Sequence, residues 1–194
     1  MNKGPTMKNF FALACAASLI GVAHAQQGTP ASGTAVTFQN LSIEDGAADP
    51  AAWTKGGAVP GVEQLWDKST AHSGKASLCL KKTAQTYFPV AQWSQSVAVQ
   101  PAASARKLQV KCWVKADKAT KAIIDVPYSA GTSGHNWAIY IGQKQKTDPV
   151  ANHDWKLYEG VVEIPAQTSK VGIAFQIYGP GTVWFDDLQI AWAP

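Results

Sequence analysis

One carboxylate stands among apolar neighbours near the end of the chain, in the segment Gly181–Trp192. Aromatic and β-branched residues fill this segment, which predicts a β-strand. Because side chains alternate across a strand, Asp186 is expected to share a core-facing side with four apolar residues. These are Trp184, Leu188, Ile190 and Trp192. A buried carboxylate is costly unless it is hydrogen-bonded, paired or bound to a metal, so we expect Asp186 to hold a structural calcium ion.

Other acids and histidines would support catalysis only in a particular arrangement. Glycoside hydrolysis needs two carboxylates about 5–9 Å apart, and no acid-rich strand pattern links any two of the available acids. These are Asp125, Asp148, Asp154, Glu159 and Glu163. A polysaccharide lyase could use His135 or Tyr140 as a base beside Asn136, but a loop histidine is usually solvated. Nucleophile-elbow, zinc-protease and P-loop motifs are absent, so we predict that the protein is not an enzyme.

The residues that could position such a site lie in short extended segments separated by Gly, Pro and Ser. Clean alternation is visible in Arg106–Lys115, and no segment has a sustained helical period. Many short strands with turn residues between them are typical of sandwiches and barrels. About eleven segments in one domain favour a jelly roll. The predicted fold class is therefore all-β, a jelly-roll β-sandwich of two antiparallel sheets.

The chain of 194 residues divides into three predicted parts. Residues 1–25 have the features of a secretory signal peptide, with Lys8 before the apolar run 10–22 and a small-x-small cleavage site at 23–25. Residues 26–33 are predicted to be a flexible leader, and residues 34–194 form the domain. The protein is therefore expected to be secreted or periplasmic. Lipid anchoring at Cys15 is an alternative, although the residues before it match a lipoprotein site poorly.

Charge and hydropathy exclude two classes of partner. The formal net charge of +4 falls to +2 when Lys3 and Lys8 leave with the signal peptide. No basic run is present, which argues against nucleic-acid binding. There is no second hydrophobic segment, so we predict no membrane span.

Two cysteines follow the signal peptide. An exported pair is often a disulfide. The alternation around Cys112 predicts a buried side chain, whereas Cys79 has the parity of Ser77 and Lys81 and is expected to be exposed. A disulfide and two free thiols both remain open, since the sequence does not give the distance between them.

A series of short motifs stands in a distinctive order along residues 36–192. They are Phe38–Leu41, Ile43–Gly46, Trp53, Ser73–Leu78, Gln95–Val99 with Pro101, Trp113–Ala116, Asp154-Trp155, Tyr158, Ile164-Pro165 and Trp184–Leu188. This order resembles the CenC-type carbohydrate-binding modules of bacterial cellulases and xylanases, which belong to the galactose-binding-like jelly-roll group. The resemblance implies a protein that binds a polysaccharide or oligosaccharide without catalysis.

The same resemblance implies a structural Ca²⁺ site that joins the first strand, the Ser-Gly-Lys turn and the last strand. The matching positions are Glu44, the backbone carbonyl of Lys75, and Asp186. Calcium takes six to eight oxygen ligands, which two carboxylates and loop carbonyls could supply. The alternatives are that Asp186 caps backbone amides or pairs with Lys75.

Modules of this kind bind glycans on an open sheet face or at the rim. Aromatic side chains stack on the apolar faces of sugar rings, and amides bond the hydroxyl groups. On the later strands, six side chains alternate with the apolar residues, and we expect them to point outward on one surface. They are Gln109, Trp113, Asn136, Tyr140, Gln176 and Tyr178. The alternatives are a structural or protein-interaction domain using the same face, and a small polysaccharide lyase or glycoside hydrolase.

Overall fold

The computed structural model describes Met1 and residues 36–194. The strands within residues 36–194 form two five-stranded antiparallel sheets. The predicted signal peptide (1–25) and leader (26–33) lie outside the described residues, apart from Met1. No residue of 36–194 is helical, so this part of the chain contains no helix that could cross a membrane. The strands are β1 (Thr54–Lys55), β2 (Val62–Asp67), β3 (Ser77–Lys82), β4 (Ala91–Ala98), β5 (Arg106–Ala119), β6 (Lys121–Ala130), β7 (Thr132–Gly142), β8 (Ala151–Ile164), β9 (Lys170–Ile177) and β10 (Gly181–Trp192). The predicted all-β jelly-roll sandwich is confirmed.

The two sheets interleave strands from distant parts of the sequence. The first sheet has the order β1-β4-β9-β6-β7, and the second has the order β2-β3-β10-β5-β8. Apolar side chains from the inner faces meet between the sheets. Phe175 of β9 and Phe185 of β10 stack in parallel with ring centroids 4.3 Å apart, and Trp53 stacks on Phe175 at 5.1 Å. Burial of such large rings is the main source of the stability of a sandwich core.

A β-bulge in β10 changes which side chains face the core. The pairing with β5 shifts register between Asp186 and Gln189. Before the bulge the buried core residues are Val183 and Phe185, and after it they are Leu188 and Ile190. The prediction that Asp186 faces the core together with Leu188 is therefore wrong, because the extra residue reverses the alternation. Asp186 lies on the outer side of the second sheet.

A second bulge reverses the alternation in β7. Ile124 pairs with Ile139, whereas the next residue of β6, Asp125, pairs with Trp137, so Ala138 is the extra residue. Trp137 therefore lies on the outer side of the first sheet with Tyr140. Asn136 is opposite the core residue Val126 and lies on the inner side.

Cys79 and Cys112 are both buried free thiols. The prediction that Cys79 is exposed is wrong, since only 2% of this residue is accessible. Burial raises the pKa of Cys79 to about 12 and raises the pKa of Cys112 above its ordinary range. Both thiols are therefore protonated and unreactive in the folded domain.

Candidate functional site

The outer face of the first sheet presents two rows of side chains in register across β4, β9, β6 and β7. We call this surface the first outer face. One row is Gln92, Gln176, Ile123 and Tyr140. The adjacent row is Ser94, Ala174, Asp125 and Trp137. This arrangement places amides, aromatic rings and one carboxylate on a continuous surface.

An aromatic cluster occupies one end of the first outer face. The Nζ atom of Lys121 lies 5.6 Å from the ring centroids of Trp137 and Tyr140 and 5.5 Å from that of Tyr178. The rings of Trp137 and Tyr140 meet edge to face at 5.7 Å. Phe88, 71% exposed, lies edge-on to Tyr178 with centroids 6.0 Å apart. Trp137 is itself 44% exposed, and a group of accessible rings of this kind usually marks a binding surface.

A chain of hydrogen bonds fixes the amides beside this cluster. The Tyr178 hydroxyl donates to Oε1 of Gln176 at 2.9 Å, and the Gln176 amide donates to Oε1 of Gln92 at 3.0 Å. Oriented amides lose little side-chain entropy when they bond a ligand. The polar part of the surface is thus already in place for a ligand with hydroxyl groups.

Asp125 is a nearly buried acid on the first outer face. It is 5% exposed, and Nδ1 of His135 lies 3.2 Å from its Oδ1. Burial raises the pKa of Asp125, and the nearby His135 partly offsets that rise. No other acid occurs on the five strands of the first sheet. The pair of facing carboxylates that glycoside hydrolysis requires is therefore not supplied by these strands.

The structure brings together three of the six residues predicted to bind glycan. Tyr140, Gln176 and Tyr178 lie on the first outer face. Gln109 and Trp113 belong to β5 and lie on the outer side of the second sheet. The prediction of one common surface is wrong for these two because parity does not specify which sheet a strand joins.

Asn136 also lies away from the first outer face. Its side-chain amide donates to the carbonyl oxygen of Glu163 on β8 at 2.8 Å, so it connects β7 to the second sheet. The bulge at Ala138 explains this correction, because it puts Trp137 where simple alternation puts Asn136.

Sequence reasoning left out several residues of this surface. Gln92 could have been found, because it alternates with the buried Ala91 and Trp93 of β4. Lys121 and Phe88 carry no pattern of their own in the sequence. Trp137 was hidden by the bulge.

Glu44 and Asp186, the two carboxylates predicted to bind calcium, both contact one turn, residues 72–76, which contains Lys75. Lys75 and Ala76 donate their backbone N–H groups to the carboxylate of Glu44, at 2.9–3.1 Å. Gly74, with φ of +64°, allows this approach, because a Cβ there would lie 2.4 Å from the Glu44 carboxyl group.

Asp186 lies beneath the same turn. It is 0% exposed and accepts the backbone N–H groups of His72 at 2.8 Å, Ser73 at 3.3 Å and Asp187 at 2.8 Å. Burial raises its pKa to about 6, although these hydrogen bonds act in the opposite direction. Amide capping thus satisfies the carboxylate, as one of the two alternatives predicted.

Within residues 36–194, no three or more His, Cys, Asp or Glu side chains are grouped so that they could hold a metal ion. An ion bound between Glu44 and Asp186 would therefore depend on backbone carbonyl oxygens, such as that of Lys75. Calcium accepts such ligands readily.

Comparisons with known proteins identify the fold. No family model and no curated protein sequence matches the chain. The enzymatically active domain of tailspike protein 4 from bacteriophage CBA120 superposes on 80% of this chain with 17% identity and a TM-score of 0.53. The chain spans only 21% of that protein.

Two further solved structures are close to this domain in length. The CBM22-1 xylan-binding domain of Xyn10C from Paenibacillus barcinonensis shares 16% identity, with a TM-score of 0.53 over 78% of this chain and 91% of that one. A cyclase from Fischerella sp. TAU shares 16% identity, with a TM-score of 0.52 over 83% of this chain and 98% of that one. The chain thus has a carbohydrate-binding-module type of fold, which also occurs in an enzyme.

Proposed function

We propose that this protein binds a polysaccharide or oligosaccharide on the first outer face and does not act on it chemically. The observation that carries the proposal is the grouping of Trp137, Tyr140 and Tyr178 beside the fixed amides of Gln92 and Gln176. Rings of this kind stack on the C–H faces of sugars, and the amides can bond sugar hydroxyl groups.

The comparisons and the sequence support the same proposal from other directions. The xylan-binding domain of Xyn10C shares the fold over nearly its whole length. The order of motifs along residues 36–192 resembles that of CenC-type modules. We therefore propose a non-catalytic module of the CenC type, and a secreted or periplasmic location from the signal peptide predicted at residues 1–25.

Affinity electrophoresis against soluble xylan, β-glucan, galactan and pectic polysaccharides tests this proposal. We expect at least one polysaccharide to retard the protein, and Trp137→Ala and Tyr178→Ala to reduce the retardation. Trp113→Ala is the matched control, because it removes an aromatic ring from the second sheet. If no saccharide retards the protein, or if Trp113→Ala weakens retardation as much as Tyr178→Ala, the proposed site is wrong.

Absence of catalysis is a separate part of the proposal. The first sheet has one acid, Asp125, whereas both usual glycosidase mechanisms need two. Incubation with each bound polysaccharide should release no reducing ends and no unsaturated products. Turnover that Asp125→Asn abolishes would show instead that Asp125 and His135 support proton transfer to a bound substrate.

We also propose that a structural Ca²⁺ ion binds at the turn formed by residues 72–76. Glu44, Asp186 and the carbonyl of Lys75 are the residues that would hold it, and the contact of both carboxylates with the same turn supports the proposal. The ion would connect the beginning and the end of the domain without any part in chemistry.

A further inference from the structure

Neither lysine at the aromatic cluster forms an ion pair within the described part of the chain, although the carboxylate of Asp148 accepts the backbone N–H of Lys144 at 3.1 Å. No carboxylate lies within 4.0 Å of the ammonium group of Lys121 or Lys144 among residues 36–194. The Nζ atom of Lys144 lies 5.2 Å from the ring centroid of Tyr140, so both ammonium groups lie near this ring. Lys121 also lies near the rings of Trp137 and Tyr178.

The second sheet provides a comparison within the same molecule. Three lysines on its strands pair with an acid at 2.9–3.1 Å, whereas Lys107, Lys118 and Lys156 do not. The pairs are Lys81–Glu63, Lys111–Glu159 and Lys115–Asp154. An unpaired lysine is therefore not unusual in this protein, and what distinguishes Lys121 and Lys144 is that both ammonium groups lie at one ring, that of Tyr140.

Asp125, the acid of the first outer face, does not pair with either lysine. Asp125 lies four residues beyond Lys121 on the same strand, which corresponds to about 13 Å along β6. It is already in contact with His135. An anion bound at the aromatic cluster would therefore meet two lysines without an acid partner, while the one carboxylate on these strands, opposite Trp137, is in contact with His135.

Lys121 has N–H donors available for an anion. Its ammonium group lies 5.5–5.6 Å from three ring centroids and keeps three N–H donors. Charge-assisted hydrogen bonds to a carboxylate or sulfate are shorter and stronger than those to a neutral hydroxyl group. A sugar ring stacked on these aromatic side chains would place its substituents beside Lys121 and Lys144.

We propose that the first outer face prefers saccharides that carry an anionic group, a carboxylate or a sulfate, and that Lys121 and Lys144 determine this preference. The inference rests on the proposed function, since it names the class of saccharide that the same site selects.

A matched pair of ligands tests the preference by calorimetry. One ligand is an oligogalacturonate, and the other is the same oligosaccharide after reduction of its carboxylates to hydroxymethyl groups. We expect the protein to bind the anionic form at least about 5-fold more tightly in 50 mM salt, and the ratio to fall toward 1 in 500 mM salt. A sulfated galactan oligosaccharide then shows whether sulfate serves as well as carboxylate.

The Lys121→Gln variant should bring the affinity ratio of the two ligands close to 1. Lys111→Gln, on the second sheet, should keep the wild-type ratio. A thermal melt of each variant checks that it is folded. Equal affinity of the wild type for both ligands, or an unchanged ratio in Lys121→Gln, would overturn the anionic preference. Saccharide binding itself would still stand if neutral glycans bind, and only failure of every glycan would remove both proposals.

Discussion

The imidazole of His72 lies parallel to the indole of Trp113, with ring centroids 3.9 Å apart and an interplanar angle of 12°. His72 is held there by Asp187, whose carboxylate lies 2.6 Å from Nδ1, and by its backbone bond to Asp186. Trp155 meets the same imidazole edge to face at 5.7 Å. One face of Trp113 is thus covered by the turn that encloses Asp186, which makes Trp113 part of the scaffold.

Trp113→Ala is expected to destabilise the domain without weakening saccharide binding. A fully buried tryptophan costs about 3–5 kcal/mol on truncation, and the half-buried Trp113 should cost about 2 kcal/mol. The melting temperature should fall by about 4–8 °C, as measured by calorimetry. An unchanged melting temperature, or a loss of glycan affinity in the folded variant, would contradict the scaffold role.

Tyr178→Ala should weaken glycan binding by about 3- to 10-fold, because one aromatic contact contributes about 0.5–1.5 kcal/mol. Titration calorimetry with the polysaccharide that retards the wild type measures the change. Tyr178→Phe keeps the ring and loses only the hydrogen bond to Gln176, so it should retain most of the affinity. Equal losses in both variants would assign the effect to the hydroxyl group and not to stacking.

Removal of calcium should lower the melting temperature, and calcium should restore it. A ligand at one hundred times its dissociation constant stabilises by about 2.7 kcal/mol, or roughly 5–10 °C for a domain of this size. Glu44→Gln should abolish the response, and Asp186→Asn provides a second variant in case one of them folds poorly. Identical melts in chelator and in calcium would remove the ion from this account.

Asp125 should make the domain less stable as the pH rises. Its folded pKa is raised by burial, so the folded protein keeps a proton that the unfolded chain releases above about pH 4. The stability that this group contributes is fully present below that pH and is lost as the pH rises through the folded pKa. The melting temperature of wild type relative to Asp125→Asn should therefore decline from pH 4 upward.

The groups that face Asp125 set how far this decline extends. His135 lowers the pKa of Asp125, so His135→Ala should move the end of the decline to a higher pH. Burial and, after it, the charge of Asp125 raise the pKa of Tyr178, so Tyr178 is a second titratable group that interacts with Asp125. If the stability of wild type relative to Asp125→Asn rises with pH, the raised pKa of Asp125 is wrong.

The sequence predicts the fold well because alternation and turn residues are local signals. The two bulges are not marked by any residue type. The extra residue at Ala138 and the irregularity between Asp186 and Gln189 each reverse the alternation within the strand. As a result Trp137, and not Asn136, lies on the outer side of β7, and Asp186 lies on the outer side of β10. Alternation also predicts which side chains share a face of a strand, but not which sheet the strand joins. β5 and β9 both alternate, yet they belong to different sheets.

The grouping of Tyr140, Gln176 and Tyr178 was predictable for the opposite reason. Their segments alternate regularly up to the relevant residue, and β6 joins β7 to β9 in the same sheet. Burial of Asp186 was also predicted, although the cause is different. The turn at residues 72–76 covers it from outside, and no pattern within β10 contains that information.

The two buried free thiols can be used to measure local opening of the domain. Cys79 and Cys112 are both buried in the second sheet, so alkylating reagents reach them only when the structure around each thiol opens. The rate of modification at each cysteine then measures how often the region around β3 or β5 opens. A ligand bound on the first outer face would stabilise the folded domain and slow the modification of the cysteines, so binding can be followed with no label added to the protein.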